Sequence, residues 1–169
     1  VHANPEVPIR LPHPDAHAPA PDAPAAIEWN ITKTGAPTVW SLGFKGAGVI
    51  IGGQDTGYQW DHPALKGKYR GWNGSTADHN YNWHDGIHPG NPCATSPTPF
   101  DDHGHGTHTM GTMVGDDGGS NQIGMAPQAR WIGCRNMAAG NGTPASYADC
   151  FQFFMAPTDL ACQNTDPTK

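Results

Sequence analysis

Apolar residues are scarce at the start of the chain and patterned after it. Over residues 1 to about 26, Pro5, Pro8, Pro12, Pro14, Pro19, Pro21 and Pro24 alternate with Ala, His and Asp. Such a segment buries no core and reads as an extended linker of polyproline character. From Ile27 the pattern changes. Residues 36–43 predict a short helix, with Pro37 near its first position and Gly43 as its stop. The run Val49-Ile50-Ile51 predicts a buried strand of the parallel type. Residues 107–114 read as a helix, and 131–135 as the next parallel strand. Strand, helix and strand then form a right-handed crossover. Residues 146–156 predict an amphipathic helix with Tyr147, Phe151 and Phe154 on its core face. Residues 66 to 100 show no period and read as a surface insertion between strands. Its Trp and Tyr residues read as anchors to the domain beneath, with a substrate wall or sugar platform as the alternative. The organisation is a linker over 1–26 and one α/β domain over 27–169.

Composition narrows the function. Among 169 residues, 22 Gly and 17 Pro with only 14% charged residues describe a loop-rich chain. A net charge of -6 offers no basic footprint for nucleic acid or for an anionic membrane. No apolar run approaches the roughly 18 residues of a membrane span. No signal peptide is visible, so for an exported protein the signal is expected upstream of Val1. Cys93, Cys134, Cys150 and Cys162 allow three pairings, and free thiols remain equally open, so no bridge is assigned.

Candidate chemistry lies in two short stretches. Asp55, in Gln54-Asp55-Thr56-Gly57, falls just past the carboxyl end of the first strand, where open α/β sheets place their sites. A carboxylate there can be held ionised by backbone amides, as an orienter of histidine must be. Downstream, residues 101–111 read Asp-Asp-His-Gly-His-Gly-Thr-His-Thr-Met-Gly. Gly104 and Gly106 are read as leaving space for a substrate beside His105, and Gly111 as letting the helix pack closely on the sheet. His108 is expected to be a hydrogen-bonded structural residue and His103 to be at the surface. Metal-dependent hydrolysis by His103, His105 and His108 with Asp101 and Asp102 is the competing chemistry, although the spacing is not His-Glu-x-x-His.

In order, the Asp55 turn with His62-Pro63-Ala64-Leu65 after it, the His105-Gly106-Thr107-His108 motif and Gly124-Met125-Ala126-Pro127-Gln128-Ala129 resemble the subtilisin-like serine peptidases (the S8 family), nearest to the bacillopeptidase F type. One departure is Gly52-Gly53-Gln54, where apolar residues are usual. The resemblance covers Ile27 to about Leu160. It implies a three-layer subtilisin-like α/β fold with a mostly parallel sheet, stopped before its serine-bearing half. It implies an Asp-His-Ser triad with Asp55 as orienter and His105 as general base. The remaining member is missing, because Gly119-Ser120-Asn121 and Ala145-Ser146-Tyr147 do not resemble the family's Gly-Thr-Ser-x-Ala. The serine is therefore expected beyond Lys169, and the 169 residues alone are expected to be inactive. The same order of landmarks puts Gly140, Asn141 and Gly142 in a loop that takes substrate by strand addition, with a plain turn as the alternative. Further implications are polypeptide substrates, residues 1–26 as the end of a propeptide that is the chain's own partner, and secretion. Calcium is a candidate ligand in this family, but the acidic residues form no ligand motif, so none is assigned. A reading of another class remains: a naturally truncated, noncatalytic binding or regulatory chain.

Overall fold

The computed structural model describes residues 5–8, 27–88, 96–119 and 122–169. In chain order the elements are β1 (Val7–Pro8), α1 (Trp29–Lys33), α2 (Ala36–Ser41), β2 (Ile50–Asp55), α3 (Pro63–Lys66) and β3 (Trp83–Asp85). They continue with α4 (His105–Val114), β4 (Arg130–Arg135), β5 (Met137–Ala138), β6 (Asn141–Gly142) and α5 (Pro144–Met155). Pro37 sits in the first turn of α2, as predicted, but the helix ends at Ser41 because Leu42 leaves helical geometry and Gly43 follows with φ 91°.

β2, β4 and β3 form a parallel sheet in that order, with β4 in the middle. Its register aligns Asp55, Arg135 and Asp85, so three polar residues close the sheet at one level, at the carboxyl ends of the strands. β4 divides the core by the period of two that a strand imposes. Trp131 faces the cluster of Tyr58, Leu65, Tyr69, Trp83, Met110, Val114 and Ala129 on the α3 and α4 side. Ile132 and Cys134 face Cys150 and Phe153 of α5 on the other. Helices on both faces of a parallel sheet give the three-layer α/β arrangement that the sequence predicts. No described helix is long and apolar enough to cross a membrane.

Three expectations need correction. The apolar run at 49–51 is not buried: Val49 and Ile50 are half-exposed, and the buried positions of β2 are Gly53 and Asp55. Among the described residues β2 pairs with β4 alone, which leaves its other edge unpaired, and of the run only Ile51 packs against the Trp131 cluster. The core face of α5 is Ser146, Cys150 and Phe153, with Phe154 packed alongside, while Phe151 is exposed. Aromatic residues at helical spacing located the helix but gave the wrong face, because a cysteine and a capping serine hold the inner stripe. The insertion is also not without regular structure. Trp83-His84-Asp85 adds a strand to β4, too short to show a period.

Elsewhere in the insertion the aromatic residues anchor it, as expected. Trp60, Tyr69, Trp72 and His79 pack ring to ring, and Tyr69 lies 4.7 Å from Trp131 between ring centroids. The Trp83 indole N–H donates to the Ser96 carbonyl at 2.9 Å. Gly52-Gly53 has a physical reason too. A Cβ on Gly53 would lie 2.6 Å from both the Tyr58 hydroxyl and Met110 Cε, and one on Gly52 would meet the Phe154 ring at 3.0 Å. Large side chains from α4, α5 and the turn after β2 fill the volume that apolar strand residues would occupy.

A disulfide joins Cys134 of β4 to Cys150 of α5 across 16 residues, and no cysteine among the described residues is free. Cys93 lies outside the described residues. Closing a loop of this length stabilises a fold by about 3 kcal/mol in the chain-entropy picture. The Cys134→Ala/Cys150→Ala double variant is expected to lower the unfolding free energy by about that amount, as read from its urea midpoint.

Candidate active site

Asp55 is the last residue of β2, and its carboxylate is largely withdrawn from solvent, with 12% of the side chain exposed. The sheet stops there and the chain turns, so the next backbone amide is available: Thr56 N–H donates to Asp55 Oδ1 at 2.7 Å. Asn136 N–H holds the Asp55 carbonyl at 2.9 Å, which ties the end of β2 to the chain leaving β4. His105 is the first residue of α4, and its Nδ1 lies 2.6 Å from Asp55 Oδ1. A carboxylate only accepts, so the proton of this bond resides on Nδ1. The other ring nitrogen, Nε2, is then left as the basic atom. Thr109, one turn along α4, has its single hydroxyl proton within reach of both Asp55 Oδ2 at 3.2 Å and the Gly106 carbonyl at 3.0 Å.

The approach between helix and turn is closer than any side chain permits. A Cβ on Gly106 would fall 2.0 Å from the Gly57 carbonyl oxygen and 3.0 Å from Asp55 Cβ. Gly106 therefore does not leave room for substrate, as its position beside His105 suggested; it lets α4 rest on the Asp55 turn. Gly111 does not pack closely on the sheet either, for nothing lies within 4 Å of the position its Cβ would take. Gly104 precedes α4 with φ 87° and open space around it.

Asp101 organises this corner. Its Oδ1 accepts from Thr56 Oγ1 at 2.8 Å, His103 N at 3.1 Å and Gly104 N at 2.8 Å. Its Oδ2 accepts from Thr107 N at 2.8 Å and Thr107 Oγ1 at 2.6 Å. Thr56 Oγ1 in turn accepts from Gly106 N at 3.0 Å. One carboxylate thus caps α4 from outside the helix and fastens it to the Asp55 turn, where a negative charge also complements the helix dipole. Burial by itself raises the Asp101 pKa, but these hydrogen bonds outweigh it and hold the carboxyl below its ordinary value of 3.8. A depressed folded-state pKa means that the stabilisation is fully present above the unfolded value and is lost as pH falls through the folded one. Asp101→Asn is expected to unfold about 2–3 kcal/mol more easily at pH 7, since bonds to a charged acceptor contribute most. The difference should begin to shrink as pH falls below about 3.8 and vanish only below the lower folded-state value, which melting curves across an acid series will read.

Asp102 does a second piece of positioning. Its Oδ1 accepts from Ala139 N at 2.9 Å, and its Oδ2 pairs with Arg135 Nη2. Arg135 also pairs with Asp85 at 3.1 Å, and its guanidinium lies 4.7 Å over the Phe100 ring. This chain of contacts sets the β5–β6 hairpin beside the histidine motif. The hairpin turns at Ala139 and Gly140, with φ 45° and 84°, and presents Asn141 and Gly142 as β6. On its outer side β6 is already paired: β1 adds antiparallel, Val7 opposite Gly142 and Pro8 opposite Asn141. Residues 9–26, the rest of the proline-rich linker, lie outside the described residues.

The histidines separate. His103 is at the surface, as expected, but His108 is exposed as well, and among the described residues its side chain has no hydrogen-bond partner to give it the structural role expected; it lines an open cavity with His62 and Trp29. Among the described residues, His103, His105 and His108 do not converge with any third ligand, and Asp101 and Asp102 are engaged elsewhere. The metal-hydrolase reading therefore has no ligand set. Ser146 is not an exposed nucleophile: it is buried, and its Oγ donates to the Asn136 carbonyl at 2.7 Å within the capping box of α5. Ser120 lies outside the described residues.

The structure brings Asp55 and His105 together and surrounds them with contacts of Thr56, Asp101, Asp102, Thr109 and Arg135 that the sequence did not assign. The signal for Asp101 was present in the Asp-x-x-Gly spacing before a helix, and that for Thr109 in the i+4 relation to His105.

Comparison with known proteins adds a lineage to this geometry. Residues 46–161 match the sequence model of the subtilase family of S8 peptidases. Bacillopeptidase F of Bacillus subtilis (strain 168) is 41% identical over 137 residues, covering 79% of this chain and 9% of that protein. The major intracellular serine protease of the same organism is 33% identical, covering 64% of this chain and 30% of its own length. Subtilisin Savinase of Lederbergia lenta is 28% identical, covering 73% and 39%. The chain thus spans less than half the length of each of these relatives.

Proposed function

Because the chain belongs to the subtilase family, we propose that it contributes Asp55 and His105 to the triad of a serine endopeptidase, with the nucleophilic serine supplied outside these 169 residues. The observation that carries this reading is the 2.6 Å contact between His105 Nδ1 and a carboxylate oxygen of Asp55, a base with its orienter in hydrogen-bond reach.

The chemistry follows from where the proton sits. Asp55 keeps it on Nδ1, so Nε2 takes the proton of the serine hydroxyl as the oxygen attacks the peptide carbonyl. The imidazolium then formed is stabilised by the Asp55 charge and delivers that proton to the departing amine. The Asp55 carboxylate is positioned by the Thr56 amide and the Thr109 hydroxyl. Thr109 acts as a positioning residue through Asp55.

Gly140, Asn141 and Gly142 are assigned the substrate. Support comes from β1: an extended piece of the same chain already adds to this edge, so the hairpin accepts a strand through backbone pairing. Residues 1–26 act in this reading as the end of a propeptide, of which Val7 and Pro8 pair with β6 where substrate would lie. The Cys134–Cys150 disulfide favours an oxidising compartment and hence a secreted protein.

The test is peptide hydrolysis by the protein as its gene encodes it, with a serine-directed phosphonate and a metal chelator as separate inhibitors. Loss of activity to the phosphonate alone supports the triad. Loss to the chelator with indifference to the phosphonate would sink it.

A further inference from the structure

On the α5 side of the sheet, away from Asp55, two histidines share one carboxylate. His84 Nε2 lies 2.6 Å and His88 Nε2 3.1 Å from Asp149 Oδ2. His84 comes from β3, His88 from the loop that follows it, and Asp149 from the middle of α5. The three side chains are partly buried, with 10%, 20% and 26% exposed. The His84 ring is fixed by stacking on Phe153 at 5.2 Å between centroids, and it stands level with Cys134 of the disulfide in the β4 register.

We propose that His84, His88 and Asp149 form a binding site for a divalent transition ion of the zinc type, which cross-links β3, its following loop and α5. One ligand atom from each residue already lies within 4.8 Å of the others. A tetrahedral zinc site with bonds of about 2.0–2.1 Å separates its ligand atoms by about 3.3 Å. Against that spacing the His84–Asp149 edge of 2.6 Å opens by about 0.7 Å and the His88–Asp149 edge of 3.1 Å by about 0.2 Å. Coordination requires both imidazoles neutral, with the proton on Nδ1 and the Nε2 lone pair turned inward. Two imidazole nitrogens and one carboxylate oxygen suit zinc and disfavour calcium or magnesium, which take oxygen donors. His84 and Asp149 also line a cavity of about 240 Å³ with Gln152, Ala156 and Thr158, which has room for a water as the fourth ligand. The site has no part in the peptidase chemistry, and its effect is on stability.

The experiment titrates chelator-treated protein, as its gene encodes it, with zinc against a chromophoric competitor and follows melting in parallel. One zinc per chain is expected, with a melting temperature raised by about 5–10 °C when zinc is a hundredfold above its Kd. Calcium and magnesium should leave the melt unchanged. Loss of an outer-shell partner alone costs about 10–100-fold in metal affinity, so Asp149→Asn and His88→Ala should each weaken binding at least that much. His108→Ala, outside the cluster, should bind as the parent does. If Asp149→Asn does not fold, His88→Ala, on the loop after β3 rather than within α5, decides. Absence of saturable zinc binding by the parent, or full binding by His88→Ala, would overturn the assignment.

Discussion

Replacing His105 by alanine is expected to lower kcat for peptide hydrolysis about 10⁶-fold while leaving KM nearly unchanged, the magnitude being that of the same substitution in subtilisin rather than one deduced from these distances. The split between the two constants is specific to the geometry. In the proposed triad His105 faces the reacting atoms, whereas the substrate strand is assigned to β6, which is fixed through Ala139, Asp102 and Arg135 rather than through the imidazole. Ground-state binding should therefore survive, and only transition-state stabilisation should be lost. Asp55→Asn is expected to cost about 10⁴-fold, because an amide can donate to Nδ1 and so select the wrong tautomer. Steady-state kinetics on the three proteins, with folding checked by circular dichroism, will show whether the loss falls on kcat. A His105→Ala protein with parental kcat would remove histidine from the mechanism.

Gly106→Ala is the second large effect. The added methyl would stand 2.0 Å from the Gly57 carbonyl oxygen and 3.0 Å from Asp55 Cβ, and a backbone oxygen in a fixed turn cannot yield as a flexible side chain can. Either α4 lifts from the turn or the turn is displaced. Both movements lengthen the 2.6 Å contact that His105 makes next door, and misplacement of about 1 Å is enough to cost about 100-fold in rate. Overpacking of this kind costs about 1–3 kcal/mol, so stability should fall together with activity. Gly111→Ala is the matched control on the same helix. Nothing lies within 4 Å of its Cβ position, and alanine is the better helix former, so this variant should be stabilised by about 0.5–1 kcal/mol with unchanged kinetics. Thermal melts and kcat/KM for the pair will check both halves.

Much of this was legible in the chain. The Asp55 turn and the His105 motif carried the site, because a strand-end carboxylate and a helix-borne imidazole each leave a local signature. β4 and α5 were likewise visible, through an apolar run and an aromatic spacing. What the sequence hid was set by tertiary contacts. Gly106 and Gly111 look alike in a one-dimensional reading, and only the position of the Gly57 carbonyl tells which of them is squeezed. The inner face of α5 was misread because Cys150 is buried against Cys134, a partner that spacing alone does not choose. β3 escaped notice because three residues show no period, and with it went His84, whose carboxylate partner lies 65 residues away. Asp101 and Asp102 were visible only as members of a charged cluster. Their separate tasks, one bracing α4 and the other holding the β5–β6 hairpin, depend on which backbone amides face them.

The most direct test of the central claim is the rate at which a fluorophosphonate phosphonylates the protein as its gene encodes it, with loss of fluoride, followed by mass spectrometry in the parent, Asp55→Asn and His105→Ala. The geometry predicts rapid labelling of a single serine in the parent and labelling slowed by orders of magnitude in both variants, because the hydroxyl is activated only by a base that Asp55 holds in place. A folded parent that takes no label, or a His105→Ala protein that labels as fast as the parent, would contradict it.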